Sequence, residues 1–322
     1  MLKRRRFIEA VSSSLLALSD GAIAQARRTP RVGMLLFTSP ASEPIGPLLD
    51  GLKEAGYAVD RNLAIDYRFA EGRHERLPAL ATELVQLNPD VIFALGGDVA
   101  PYAKAATTTI PVVAWVSNDP VKSGLVPDMG RPRGNVTGIT LIYDELAGKT
   151  LGFLKEAAPS MTRVAVLWNP DHADPEFQET KRAADVLKVR LQSLEVRRPD
   201  DFASAYQAAL AERAEGLVIV FSRLMSRERP RILEFAAKNR ILVVGGFGEW
   251  TRDGALLTYG PNPVEIMQRV AVFITKILKG ARPADLPMER PTRFELVLNL
   301  GTARAFGLTL PPNLLGRADR VV

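Results

Sequence analysis

Short apolar runs alternate with amphipathic stretches along most of this chain. In the first half, Val32–Phe37, Leu63–Tyr67, Val91–Leu95 and Val112–Val116 read as strands; in the second, Val164–Trp168, Leu191–Val196, Leu217–Phe221 and Ile241–Val244 do. Several of these runs are apolar throughout rather than alternating, the pattern of parallel sheets covered on both faces. The segments between them have helical period. Pro47 to Ala55 carries Leu48, Leu49 and Leu52 and stops at Gly56; His74 to Leu87 carries Leu77, Leu80, Leu84 and Leu87 and stops before Pro89. The longest helix reads from Asn262 to Lys279, with Asn262 at the N-cap, Pro263 at the first position and an apolar stripe of Ile266, Val270, Phe273 and Ile277 ending at Gly280. A last strand, Phe294–Leu298, and a short helix near Thr302–Phe306 follow.

The pattern breaks once. From Ser117 to Asn135 the chain is polar and rich in Gly and Pro, with no helical period. Read with its flanks, Val112 to Gly138 is the expected crossover between two doubly wound α/β lobes, with a functional cleft between them. The division this predicts is a leader over 1–26; a first lobe over 27–140, joined by part of 260–282; and a second lobe over 141–259, joined by 283–322.

Met1 to Ala26 carries Lys3, Arg4, Arg5 and Arg6, a short apolar segment from Ala10 to Leu18, and small residues at Ala22-Ile23-Ala24. That is the form of a cleaved export signal, too short to span a bilayer. Arg4-Arg5-Arg6-Phe7-Ile8 fits a twin-arginine signal, with general secretion as the alternative. Periplasmic localisation is therefore expected.

The 322 residues carry 42 Lys and Arg against 36 Asp and Glu, a net charge of +6. Residues 1–24 hold four of those positive charges and two negative ones, so the remainder has a net charge of +4. That charge is scattered and not interleaved with aromatics, which argues against nucleic acid as a partner. There is no cysteine, which excludes disulfides, thiolate metal sites and Cys nucleophiles. His74 and His172 are the only histidines, far apart in sequence, so a His metal site or Ser-His-Asp triad is not expected. No cofactor is implied.

In open parallel sheets ligands bind beyond the carboxyl ends of the strands. Those ends hold Ser39; Gly96, Gly97 and Asp98; Ser117, Asn118 and Asp119; Asn169; Phe221 and Ser222; Gly246 and Phe247; and Tyr259. Glycines let backbone N–H groups come close, hydroxyls and amides orient polar groups, and the aromatics cover an apolar side chain. No pair of carboxylates stands beside a nucleophile, so the set is one that binds rather than catalyses. Each residue also has a local reading. Asp98 can cap the following helix or meet an ammonium, Asp119-Pro120 can start a turn, Tyr259-Gly260 can be a strand-to-helix connection, and Trp115 and Trp168 can be packing residues.

Certain segments carry a family likeness. They include Tyr67-Arg68-Phe69-Ala70-Glu71-Gly72, Asp119-Pro120-Val121 with Gly124-Leu125-Val126, Gly134-Asn135-Val136-Thr137-Gly138, Arg163 through Trp168-Asn169-Pro170, Tyr259-Gly260-Pro261, and Lys276 through Gly280 running into Pro283-Ala284-Asp285-Leu286-Pro287. The mature chain resembles the solute-binding proteins of ABC transporters, in the family that includes tryptophan- and tyrosine-uptake binding proteins. The resemblance implies a type I periplasmic-binding-protein fold, a small-molecule ligand such as an amino acid held between two lobes, a permease as partner, and no catalytic residues; a monomer is expected. The chain departs from the family where relatives often have Thr or Ser and it has Asp98, a carboxylate that repels anions or selects a cation. A ligand sensor for a membrane receptor and a two-lobe group-transfer enzyme are the alternatives.

Overall fold

A computed structural model of the chain describes residues 28–39, 43, 45–142, 144–171 and 176–322. The expected leader and His172 lie outside the described residues.

Five apolar runs form the first sheet: β1 (Arg31–Leu36), β2 (Ala64–Phe69), β3 (Val91–Leu95), β4 (Val112–Val116) and β5 (Val136–Thr140). All pairs are parallel, in the order β2-β1-β3-β4-β5. Helices α1 (Gly46–Glu54), α2 (Leu77–Gln86) and α3 (Ala100–Ala106) connect them. The sheet is buried on both faces, one against α1 and the other against α2 and α3, as its continuous apolar strands require.

The fifth strand corrects the sequence reading. The crossover does not run from Val112 to Gly138, because β5 returns beside β4 with Ala114 opposite Gly138. The polar stretch between them folds back on the same lobe and buries Leu125 and Val126. Val-Thr-Gly-Ile-Thr holds two threonines and a glycine, yet all five residues are buried. Its hydroxyls are satisfied internally: Thr137 donates to the carbonyl of Leu286 at 2.6 Å and Thr140 to that of Asn118 at 2.7 Å. Gly138 has φ +140°, and a Cβ there would lie 1.9 Å from the Ala114 carbonyl oxygen. Only glycine admits that approach.

After β5 the chain enters the second lobe: α4 (Asp144–Ala157), β6 (Arg163–Trp168), α5 (Glu176–Leu187), β7 (Arg190–Glu195), α6 (Asp201–Ala211), β8 (Gly216–Ile219), α7 (Arg223–Arg227), α8 (Arg229–Lys238), β9 (Leu242–Gly245), α9 (Gly248–Arg252) and β10 (Leu257–Gly260). The chain then returns as α10 (Pro263–Leu278), which packs on α1 and the first sheet. The Asn262 side chain accepts the Val264 N–H at 2.9 Å, and the stripe of Ile266, Val270, Phe273 and Ile277 is buried. Gly51 of α1 faces Ala271, where a Cβ would stand 2.8 Å from the alanine methyl, so the two helices meet closely.

A third crossing follows. Met288 N–H donates to Met129, Glu289 N–H to Gly138, and Thr140 N–H to the Glu289 carbonyl, so the chain stays on β5 as far as Glu289. Then β11 (Glu295–Leu298), α11 (Leu300–Ala305), α12 (Pro312–Leu315) and β12 (Arg320–Val321) complete the second lobe. Its sheet runs β12-β11-β10-β9-β8-β6-β7, parallel except between β10 and β11. The architecture is two parallel-sheet α/β lobes joined by three crossings.

Candidate functional site

The carboxyl ends of the two sheets face each other, and the clearest contact between them is ionic. Arg223, at the start of α7, reaches across to the turn after β3. Its Nη1 donates to Asp98 Oδ1 at 2.6 Å and Oδ2 at 2.7 Å, and its Nη2 donates to the Leu95 carbonyl at 2.5 Å. The guanidinium carbon also stands 5.0 Å from the centre of the Phe37 ring, within cation–π range. Both charged side chains are about three-quarters buried, at 23% and 26% exposure. Such a pair contributes on the order of 1 kcal/mol net, because desolvation offsets most of the Coulomb attraction.

Local structure explains how the pair forms. Ser222 is extended and its Oγ accepts the Met225 N–H at 3.3 Å, which caps α7 and places Arg223 in its first turn. Gly96 has φ +120°, and a Cβ there would sit 2.2 Å from Arg223 Nη2. A Cβ on Gly97 would sit 2.8 Å from Asn118 Oδ1. The two glycines therefore make room for a guanidinium and an amide. His74 Nε2 is 3.3 Å from Asp98 Oδ2, and its ring centre is 4.3 Å from that of Phe37.

Two buried polar atoms beside this pair have no hydrogen-bond partner among the described residues: Thr38 Oγ1 after β1 and Asn118 Oδ1 after β4. Ser39 and Ser117 are half-buried at the same strand ends.

The aromatic residues form a second group. Phe221 and Phe247 meet edge to face with centres 4.6 Å apart. Phe247 leaves the second sheet yet belongs to the same apolar cluster as Trp115, Ile139 and Ile266 of the first lobe and its returning helix. Gly246, at φ +74°, turns the chain to direct it there; a Cβ on Gly246 would be 2.4 Å from the buried Trp250 ring. Tyr259 touches the cores of both lobes, with Phe153 at 5.0 Å and Phe294 at 6.0 Å.

Other strand-end residues have local partners. Asp119 Oδ1 accepts the N–H groups of Val121 and Lys122 at 2.9 and 3.2 Å. Burial pushes its carboxyl up, but those N–H groups and the charges of Lys122 and Arg290 outweigh this and hold it below the ordinary carboxylate value. Asn169 Oδ1 accepts the Asp171 N–H at 2.9 Å. Trp168 donates to Ser193 at 2.8 Å and stacks on Phe177, so its ring is engaged within its own lobe. Sequence reasoning missed Arg223, although it directly follows the strand-end pair Phe221-Ser222, and it missed Phe37, Phe153 and Phe294. The signal for Arg223 was its position two residues past the predicted strand end.

Residues 40–322 match the family described as ABC transporter substrate binding protein. The chain belongs to this family. Such substrate-binding proteins take small ligands and work with a membrane permease. A tyrosine-binding protein of Clostridioides difficile (strain R20291) is 24% identical over 263 residues, covering 81% of this chain and 75% of that protein. The structure is also similar to a conserved domain protein from Vibrio cholerae, with TM-score 0.82, 27% identity, and coverage of 92% of this chain and 100% of that one. An ABC domain from Streptococcus pneumoniae, solved in complex with L-Trp, has TM-score 0.81 and 22% identity, over 91% of this chain and 100% of that one. Among the described residues, no helix of this binding protein is long and apolar enough to cross a membrane.

Proposed function

We propose that this binding protein captures an amino acid or related small organic ligand between its lobes and delivers it to its permease from the periplasm, as an exported monomer without catalytic activity. The observation that carries this reading is the meeting of both sheets' carboxyl ends, where Arg223 of one lobe pairs with Asp98 of the other and Phe221, Phe247 and Tyr259 pack against the first lobe's apolar cluster. Aromatic faces suit an apolar side chain, and the unpartnered Thr38 and Asn118 oxygens suit a polar head group. The residues proposed to line the cleft are those after β1, β3, β4, β8 and β9, with Tyr259; Asn169 and Asp119 shape the loops around them. Lobe boundaries near 140, 260 and 290 would put the hinge at the three crossings. Contacts made to both lobes at once by the ligand would favour the closed arrangement. Its relative named as a tyrosine-binding protein supports an amino acid as the ligand class.

A thermal-shift screen of the chain without its leader, against amino acids, aromatic acids, purines, sugars and polyamines, tests this. A ligand that binds only the folded state, at a hundredfold excess over its dissociation constant, adds about 2.7 kcal/mol of stability. A shift confined to amino acids is the expected result. A shift with sugars or purines alone would replace the ligand class, and turnover of any of them would remove the non-enzymatic reading.

A further inference from the structure

We infer that Asp98 and Arg223 are the charge-reading pair of the cleft, and that the ligand they select is a zwitterion whose ammonium faces Asp98 and whose carboxylate faces Arg223. This rests on the amino-acid reading above and adds which residues read the head group and why.

The pair is half of a charge-exchange site. Arg223 and Asp98 come from different lobes and lie 125 positions apart in the chain. Each is mostly buried, so each needs a counter-charge whenever the cleft holds something else. A ligand with only a negative charge draws Arg223 away and leaves the mostly buried Asp98 carboxylate without its counter-charge and repelling it. A ligand with only a positive charge does the reverse to Arg223. A zwitterion inserted between them gives each a new partner, so two charge-assisted contacts replace one pair. An uncharged ligand leaves the pair closed and gains nothing from it.

The surroundings fix the polarity. Asp98 and the unpartnered acceptor Asn118 Oδ1 flank Gly96 and Gly97: Asp98 Oδ1 lies 2.5 Å from where a Gly96 Cβ would stand, and Asn118 Oδ1 lies 2.8 Å from where a Gly97 Cβ would. An ammonium with three N–H donors serves both acceptors. The guanidinium, beside the same Gly96, is also held by the Leu95 carbonyl and the face of Phe37, which keeps it in place when a carboxylate replaces Asp98. His74, beside Asp98, is the further titratable group on this edge.

The test is calorimetric titration of the wild type, Asp98→Asn and Arg223→Gln with four matched probes: L-tryptophan, tryptamine, indole-3-propionate and N-acetyl-L-tryptophanamide. L-Tyrosine and L-leucine are run alongside as zwitterions with other side chains. The wild type should bind at least one of the three amino acids, and bind tryptamine, indole-3-propionate and the amide about tenfold or more weaker than L-tryptophan. Asp98→Asn should narrow the gap between L-tryptophan and indole-3-propionate, and Arg223→Gln the gap between L-tryptophan and tryptamine. Uniform weakening of every probe by both variants would make the pair a closing contact only and overturn the inference. So would a wild type that binds the acid, the amine or the amide as well as the amino acid, while leaving the amino-acid reading standing. Failure of all three amino acids to bind folded wild type would overturn both.

Discussion

Arg269 of α10 donates from Nε and Nη2 to the two carboxylate oxygens of Glu289, each at 2.6 Å. Glu289 also bonds through its backbone to Gly138 and Thr140 of β5. One residue of the third crossing is thereby fixed to the start of the first crossing and to the helix that follows the second. The three crossings are strapped together on the first-lobe side, and a hinge motion between the lobes has to take place beyond that strap.

Removing the strap should cost little stability. Both side chains are partly exposed, at 43% and 36%, so Arg269→Ala or Glu289→Gln should lower unfolding stability by about 0.5–1 kcal/mol, even though the pair is bidentate. Urea denaturation measures this. A loss several times larger would mean that the pair holds the lobes' arrangement and not just its own loop.

Gly138→Ala is expected to be far more damaging. A Cβ at that position would overlap the Ala114 carbonyl, between two strands that must stay hydrogen-bonded. Relief requires β5 to move off β4, at about 3 kcal/mol or more. Thermal unfolding followed by circular dichroism decides it; an unchanged midpoint would show that β5 is not seated as described.

The carboxyl of Asp119 is held below its ordinary value, so its protonation is linked to stability. A depressed folded-state value means a contribution fully present above the unfolded-state value near 4. That contribution is lost as pH falls through the lower folded value. Asp119→Asn keeps an acceptor for the Val121 and Lys122 N–H groups but removes the titration. It should lie about 0.5–1 kcal/mol below wild type at pH 7, with the gap closing below about pH 4. A gap that persists at pH 3 would count against the charge as its source.

Phe247→Ala removes a side chain that is 6% exposed and packed into the first lobe's core from a loop of the second. It should cost about 3–5 kcal/mol if the site cannot collapse. It should also loosen the contact between lobes, read as a larger radius of gyration in solution scattering. An unchanged radius together with full ligand affinity would place Phe247 outside the closing surface.

Much of the fold is legible in the amino-acid sequence. The alternation of apolar runs and amphipathic helices yielded nine strands, and the Asn262-Pro263 start with its stripe yielded α10, because burial on both faces or on one face writes a period into the sequence. Val136–Thr140 was misplaced for a definite reason. Its two threonines and glycine look solvent-facing, and only the carbonyls of Leu286 and Asn118 make them buriable. At the site, Phe221, Phe247 and Tyr259 were legible as strand-end aromatics, whereas the role of Gly96 and Gly97 was not. What they make room for comes from Arg223 and Asn118, and nothing in their own neighbourhood names either.

The sequence by itself determined the two α/β rhythms, the scattered charge, the exclusion of thiol chemistry and the likeness to a binding-protein family, since each is a property of composition or of near neighbours in the chain. The tertiary structure decided which strand lies beside which, where the chain crosses between lobes, and that Asp98 meets Arg223. Periodicity records how deeply a segment is buried but not what it is buried against, and a charge pair closed across 125 residues exists only when the two lobes are brought face to face.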